Sequence, residues 1–173
     1  LDELRALREP GERVRALCAA AEPHERESAF AVLAALVRAF LGGLAEGDDD
    51  ARWRALRLEL RALVEDVELA EEHARFLGDL AGVAVPESAA LADARKDPQL
   101  MQDRVQLAFT ELVDGLTREG GLVLRVEDLH WADEPSLRVL EELPDRLAGR
   151  ALLCAYTARA EMEGAPRFTR GHL

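Results

Sequence analysis

The sequence predicts an α/β fold in which helices flank a parallel β-sheet. Two short apolar runs, residues 122–126 and 151–156, enclose a helical segment that begins near Pro135. A strand, a helix and a strand at this spacing are typical of a right-handed crossover between parallel strands. A third apolar run lies at residues 12–20, and residues 27–119 between it and the others show helical periodicity. We therefore expect a large helical insertion between the first and second strands.

The composition excludes several classes of function. The chain has 173 residues, of which 49% are hydrophobic, so it can bury the core of one domain. Its formal net charge of −12 argues against sequence-independent binding to nucleic acid and against docking on an anionic membrane. Residues 1–9 are charged throughout and do not form a signal peptide, so a cytoplasmic location is expected. Cys18 and Cys154 are interpreted as small buried hydrophobic residues.

The first part of the chain is predicted from breakers and apolar spacing. Residues 1–8 favour the end of a helix, stopped by Pro10-Gly11, and residues 12–20 favour a buried strand. Two helices follow, and a further helix runs to about Leu80, before a loop that holds Gly82 and Pro86. Gly42-Gly43 is expected to end the first of these helices, and Asp48-Asp49-Asp50 to cap the second. The apolar faces of the two are Phe30, Leu33, Val37 and Leu41, and then Trp53, Leu56, Leu60, Leu63 and Val67.

The second part has the clearest periodicity. Residues 99–118 are predicted as a helix that ends at Gly120-Gly121, with Val105, Phe109, Leu112 and Leu116 on one face. The strand at 122–126 follows and ends in Glu127-Asp128. Pro135 suits the first turn of the next helix, with Asp133 or Glu134 as its cap. The apolar face of that helix comprises Leu137, Leu140, Leu143 and Leu147.

Glu127 and Asp128 are the candidate site residues. Ligands of open α/β sheets bind at the carboxyl ends of the strands. A Mg²⁺ ion bound to nucleotide phosphates uses one or two carboxylates, and a second carboxylate can orient or deprotonate an attacking water. The two acids together suit phosphoryl chemistry. On these two residues alone, a strand that simply ends in acids is the better explanation.

The wider string favours a function. Leu122 to Asp133, LVLRVEDLHWAD, resembles the second acidic (Walker B) motif of the signal-transduction ATPases related to AAA+ proteins, the STAND class. These ATPases occur in LuxR-type regulators, cyclase-linked proteins and large bacterial Ser/Thr kinases. Supporting similarities lie at Phe76–Val83, at Asp97–Met101 with Arg104, and at Tyr156–Glu161. The resemblance covers most of residues 27–163.

The resemblance implies a partial P-loop NTPase fold, with the strand at 121–127 between those at 12–20 and 150–156. It implies ATP and Mg²⁺ as cofactors. Glu127 and Asp128 would be the catalytic and metal-binding acids, with the division of roles between them open. Thr157 and Arg159 would lie near the terminal phosphate. His130, Trp131 and Asp133 match the motif but are expected to be structural, with His130 as a catalytic base the minority alternative.

The implied function is an ATP-binding and ATP-hydrolysing regulatory switch in a multidomain bacterial signalling protein. Its partners would be ATP and the protein's other domains, such as a kinase, helical repeats or a DNA-binding domain, with no nucleic acid or membrane bound directly. The domain would divide into residues 1–26, 27–119, 120–163 and a tail at 164–173. The alternative is a non-catalytic α/β scaffold for protein–protein contact.

Two features depart from the family pattern. The 173 residues contain no G-x-x-x-x-G-K-S/T loop, which in such ATPases holds the phosphates, and the single lysine, Lys96, has no glycine near it. We expect that this loop precedes Leu1 and that the chain alone is inactive. Arg125 lies inside a strand, where a buried and unpaired guanidinium costs several kcal/mol. Either Arg125 has an acidic partner or its face of the strand is incompletely covered.

Overall fold

A computed structural model of the chain describes residues 14–45 and 47–159. The helix predicted at residues 1–8, the tail at 164–173 and the last two residues of the Tyr156–Glu161 segment lie outside the described residues. No helix in the described ranges is both long enough and apolar enough to cross a bilayer.

In the described residues, a three-stranded parallel sheet forms the base of the fold. Its strands are β1 (Val14–Ala20), β2 (Gly121–Glu127) and β3 (Leu152–Tyr156), in the order β1-β2-β3. The register pairs Val14 with Gly121 and Leu122 with Leu152. The predicted α/β class and the predicted central position of the strand at 121–127 are both confirmed.

Among the residues that the structure describes, five helices separate β1 from β2 and one connects β2 to β3, so the predicted helical insertion is confirmed. They are α1 (Ala31–Leu44), α2 (Asp49–Leu63), α3 (Val67–Ala81), α4 (Ala89–Ala94), α5 (Pro98–Glu119) and α6 (Glu134–Arg146). Short 3₁₀ turns lie at Pro23–Glu25 and Leu129–Trp131. The helices and one face of the sheet enclose a continuous apolar core, whose fully buried side chains include Leu33, Leu56, Leu60, Phe76, Phe109, Leu112 and Leu124.

Two predicted helix boundaries were wrong. Val67 is not on the apolar face of α2, because α2 ends at Leu63 and Asp66 starts a new helix by accepting hydrogen bonds from the N–H groups of Glu68 and Leu69. Val67 is accordingly 54% exposed. Gly42-Gly43 does not end α1 either, since the helix continues to Leu44.

The segment after Gly82 contains one helix that was not predicted. Gly82 has a left-handed backbone, with φ of 80°, and ends α3 as a C-terminal cap. Residues 83–88 are irregular, as expected of the loop that holds Pro86, but α4 then begins at Ala89. The Ser88 side chain caps α4 by accepting from Leu91 N at 3.2 Å.

The opposite face of the sheet is less covered. Cys18 aligns with Arg125 and Ala155 on this face, and Cys18 is exposed, so its predicted burial was wrong. Cys154 aligns with Leu124 on the helix-covered face and is partly buried. Both alternatives for Arg125 are found: its side chain is 42% exposed, and its guanidinium pairs with Glu127.

Candidate functional site at the carboxyl edge of the sheet

The acidic pair and Thr157 meet where β2 and β3 end. Thr157 N donates to Val126 O at 3.0 Å, and Leu129 N donates to Thr157 O at 2.8 Å. The Thr157 hydroxyl accepts from Asp128 N at 3.1 Å, across 29 positions of sequence. Parallel strands place their carboxyl ends at one edge of a sheet, so residues far apart in sequence become neighbours there. The structure therefore brings three of the four predicted site residues, Glu127, Asp128 and Thr157, together.

Glu127 is the last residue of β2, and its side chain is held by an ion pair. Residues two apart on a strand share a face, so the Glu127 carboxylate lies beside Arg125, and Arg125 Nη2 pairs with Glu127 Oε1. The carboxylate is 44% exposed. The Glu127 carbonyl accepts from Ala21 N at 2.9 Å, which attaches the end of β1 to the same edge. Glu127 is accessible, but a ligand cation would have to share it with a guanidinium.

Asp128 turns the chain out of the sheet. Its φ is 54°, in the left-handed region that non-glycine residues rarely adopt and that aspartate tolerates better than most. Its carboxylate is 65% exposed and lies 3.9 Å from His130 Nδ1. Backbone conformations of this kind concentrate at functional sites. Asp128 thus presents the more accessible of the two carboxylates.

The 3₁₀ turn after Asp128 carries an aromatic pair. The rings of His130 and Trp131 are 4.9 Å apart and inclined at 44°. The His130 side chain is only 10% exposed, and within residues 14–45 and 47–159 neither of its ring nitrogens makes a hydrogen bond. Arg159, the fourth predicted site residue, lies with its guanidinium carbon 5.7 Å from the centroid of the Trp131 ring. Arg159 is therefore on the same side of the molecule as the acidic pair but engages an aromatic ring.

A comparison with models of protein families gave a match. The model of the AAA ATPase domain matches residues 2–154, most of the chain. The chain belongs to that family. The match includes β1, β2, the acidic pair and the first three residues of β3 of this AAA ATPase domain, and it ends before Thr157 and Arg159. Searches of curated proteins and of solved structures gave no match.

The AAA ATPase domain has a donor set that suits a nucleotide-bound metal ion. In the described part of the chain, no three His, Cys, Asp or Glu side chains are grouped so that they could hold a metal alone. A Mg²⁺ ion shared with nucleotide phosphates needs only one or two protein carboxylates and keeps several waters. Glu127 and Asp128, both about half exposed or more, fit that requirement.

The sequence predicted only part of the role of Asp133 in this domain. Its side chain accepts from Ser136 N at 2.9 Å, so the predicted cap of α6 is confirmed. It also accepts from Phe30 N at 2.8 Å and from Val32 N at 3.3 Å, at the start of α1. The sequence predicted no part for Phe30 beyond packing, nor any part for Ser136. No local signal could reveal this contact, because Asp133 and Phe30 lie 103 positions apart.

Proposed function

We propose that this AAA ATPase domain binds and hydrolyses Mg-ATP as a regulatory switch in a multidomain signalling protein of the bacterial cytoplasm. The observation that carries the proposal is the acidic pair at the carboxyl end of the central strand, where the hydroxyl of Thr157, the residue after the neighbouring strand, accepts from Asp128 N. Membership of the family supports the ATPase chemistry. The resemblance of residues 122–133 to signal-transduction ATPases supports the switch and its partner domains, such as a kinase, helical repeats or a DNA-binding domain.

In this proposal Glu127 and Asp128 hold Mg²⁺ and handle the attacking water. Bound Mg²⁺ neutralises charge that develops on the transferred phosphoryl group. Asp128 is suited to orient the water and accept its proton, because its carboxylate is the more exposed and no Arg or Lys side chain among the described residues pairs with it. Glu127 is suited to bind the metal ion after its carboxylate has released the Arg125 guanidinium.

Thr157 and Arg159 would support ATP hydrolysis in different ways. Thr157 fixes the backbone of Asp128 and Leu129, and so sets the direction of the acidic pair. Arg159 would leave Trp131 to neutralise the terminal phosphate, as its place in the Tyr156–Glu161 segment suggests. The phosphates also need a loop of backbone N–H groups with a lysine. The proposal requires that a segment outside these 173 residues supplies that loop.

The test is mutation of each acid in the full-length protein with its phosphate loop. In Asp128→Asn, turnover is expected to fall by about 10²–10⁴-fold, the usual contribution of a general base, while ATP binding survives. Glu127→Gln is expected to weaken Mg²⁺-dependent ATP binding, because it removes a ligand charge. Asp93→Asn, an exposed acid on α4 that pairs with Lys96, is the matched control.

The possible outcomes distinguish an error in the roles of the two acids from an error in the location of the active site. If the phenotypes of the two variants are exchanged, Glu127 handles the water and Asp128 the metal, and the site stands. If both variants hydrolyse ATP as fast as the Asp93→Asn control, the acidic pair is not the active site.

A non-catalytic scaffold is the second candidate, and one observation favours it. Glu127 is already neutralised by Arg125, which lies at a position where the signal-transduction ATPases prefer an apolar residue. The exposed sheet face that carries this ion pair would then serve protein–protein contact. The gene sequence upstream of Leu1 discriminates between the two: an intact glycine-lysine loop supports the switch, and a degenerate one supports the scaffold.

A further inference from the structure

One buried carboxylate lies between the starts of two helices. Asp133 is 2% exposed, and its Oδ1 atom accepts from Ser136 N at the start of α6 and from Phe30 N before α1. Its Oδ2 atom accepts from Val32 N in the first turn of α1. Both helices therefore direct the positive ends of their dipoles at the same negative charge.

The N-terminus of α1 depends on this contact. Phe30 occupies the N-cap position without a capping side chain, in a left-handed conformation with φ of 64°. Ala31 N donates to Ser28 O, and the Ser136 hydroxyl accepts from Leu33 N at 3.3 Å. The N–H groups that an α-helix leaves unpaired at its start are thus satisfied, and three of them, at residues 30, 32 and 33, are satisfied by Asp133 and Ser136.

The same carboxylate fixes one end of the acidic turn, which we define as residues 128–133. The other end is fixed by Thr157, which bonds to Asp128 N and Leu129 N. Between them, Trp131 N donates to Asp128 O at 2.9 Å and Ala132 N donates to Leu129 O at 3.0 Å. The left-handed backbone of Asp128 is therefore held in a short turn whose two ends are both fixed.

We propose that Asp133 is a positioning residue that clamps the acidic turn to the start of α1 and so sets the direction of Asp128. The inference rests on the proposed function for its catalytic consequence, but the clamp itself can be tested without nucleotide. It assigns to the last residue of the Leu-His-Trp-Ala-Asp string a role in coupling the helical insertion to the acidic pair.

Amide hydrogen exchange of the 173-residue chain tests the clamp. In Asp133→Ala, amide exchange at residues 30, 32 and 136 is expected to accelerate by about 5-fold, the ratio that corresponds to one lost hydrogen bond. Exchange of the Trp131 amide should accelerate as well, because the acidic turn loses one of its two fixed ends. Asp133→Asn keeps an oxygen for Phe30 N and Ser136 N, so only Val32 should accelerate. Asp48→Ala is the matched control, because Asp48 caps only its own helix through Ala51 N.

Two exchange results would overturn the inference. In the first, Asp133→Ala accelerates Ser136 alone, which would make Asp133 an ordinary cap. In the second, residues 30 and 32 accelerate while the Trp131 amide does not, which would make the contact structural only. If Asp133→Ala does not fold, Asp133→Asn decides instead: faster exchange at Val32 supports the contact with α1, and unchanged exchange at Val32 overturns it. Ser136→Ala, which removes only the acceptor of Leu33 N, is the control and should accelerate Leu33 alone.

Kinetics of the full-length protein separate this inference from the proposed function. Asp133→Ala should lower kcat by about 10–100-fold, as do changes in residues that orient metal ligands, with little change in KM for Mg-ATP, and Asp133→Asn should restore most of the loss. An unchanged kcat in Asp133→Ala overturns the positioning role. A wild-type protein without ATPase activity contradicts the proposed function, and the exchange data then decide on the clamp alone.

Discussion

His73 predicts a specific acid sensitivity of this domain. The side chain lies on α3 and is 2% exposed, and burial together with the nearby charge of Arg104 lowers its pKa from 6.5 to about 4. The unfolded chain therefore binds a proton at His73 between pH 6.5 and 4, where the folded chain does not. The contribution of neutral His73 to the free energy of unfolding is fully present above pH 6.5 and is lost as the pH falls towards 4.

The magnitude follows from the two pKa values. For a single site with a pKa of 6.5 in the unfolded chain and about 4 in the folded chain, proton linkage lowers the free energy of unfolding by about 2 kcal/mol from pH 7.5 to pH 5. This is a large part of the stability of a small domain, which is typically about 5–15 kcal/mol. Urea denaturation of the chain at the two pH values measures it directly.

The comparison that isolates His73 uses two variants. His73→Leu removes the titrating group, and its loss of stability between pH 7.5 and 5 should be smaller than that of the wild type by about 2 kcal/mol. His24→Gln changes a histidine whose side chain is 74% exposed, and it should keep the full pH dependence. If His73→Leu and the wild type lose equal stability, the buried neutral histidine does not account for the acid sensitivity.

Three further predictions concern the 173-residue chain. Without a phosphate loop it should bind Mg-ATP poorly, and calorimetry that finds micromolar affinity would place the phosphate site within these residues. In the described part of the chain β3 pairs only with β2 and exposes Leu153, so self-association is expected, and light scattering that finds a monomer at high concentration would contradict the idea of an open edge. A Cβ at Gly115 would lie 2.6 Å from Leu63 Cβ, so Gly115→Ala should lower the unfolding free energy by about 1–3 kcal/mol. Gly42→Ala, where a Cβ meets nothing within 4 Å, should be neutral or raise that energy by up to about 1 kcal/mol, and thermal denaturation that finds equal losses would refute the packing argument.

The sheet could be predicted because its signals are local. Each strand is a short apolar run, and the change of period after Gly120-Gly121 marks the start of β2. The hydrogen bond between Asp128 N and Thr157 was not predicted, although both residues come directly after parallel strands, which is a signal that the sequence contains. The pairing of Arg125 with Glu127 had a usable signal as well, because residues two apart on a strand share a face.

The errors arose where a local signal was misjudged or where the cause is tertiary. The end of α2 was misplaced because the apolar spacing continues to Val67, although Asp66 is a good N-cap that argues for a new helix. The exposure of Cys18 depends on which face of the sheet the helices cover, which no strand pattern states. The cap of α1 could not be predicted, because it comes from Asp133 on the far side of the insertion.

The register of the sheet has a consequence for the order of folding. Val14 pairs with Gly121, 107 positions later, whereas Leu122 pairs with Leu152, only 30 positions later. Closing the longer loop costs more chain entropy, and non-local pairing of this kind is slow. We expect β2, α6 and β3 to associate early as a local unit. The five helices of the insertion then bring β1 within reach, so that β1 completes the sheet last and variants that weaken the insertion slow this step.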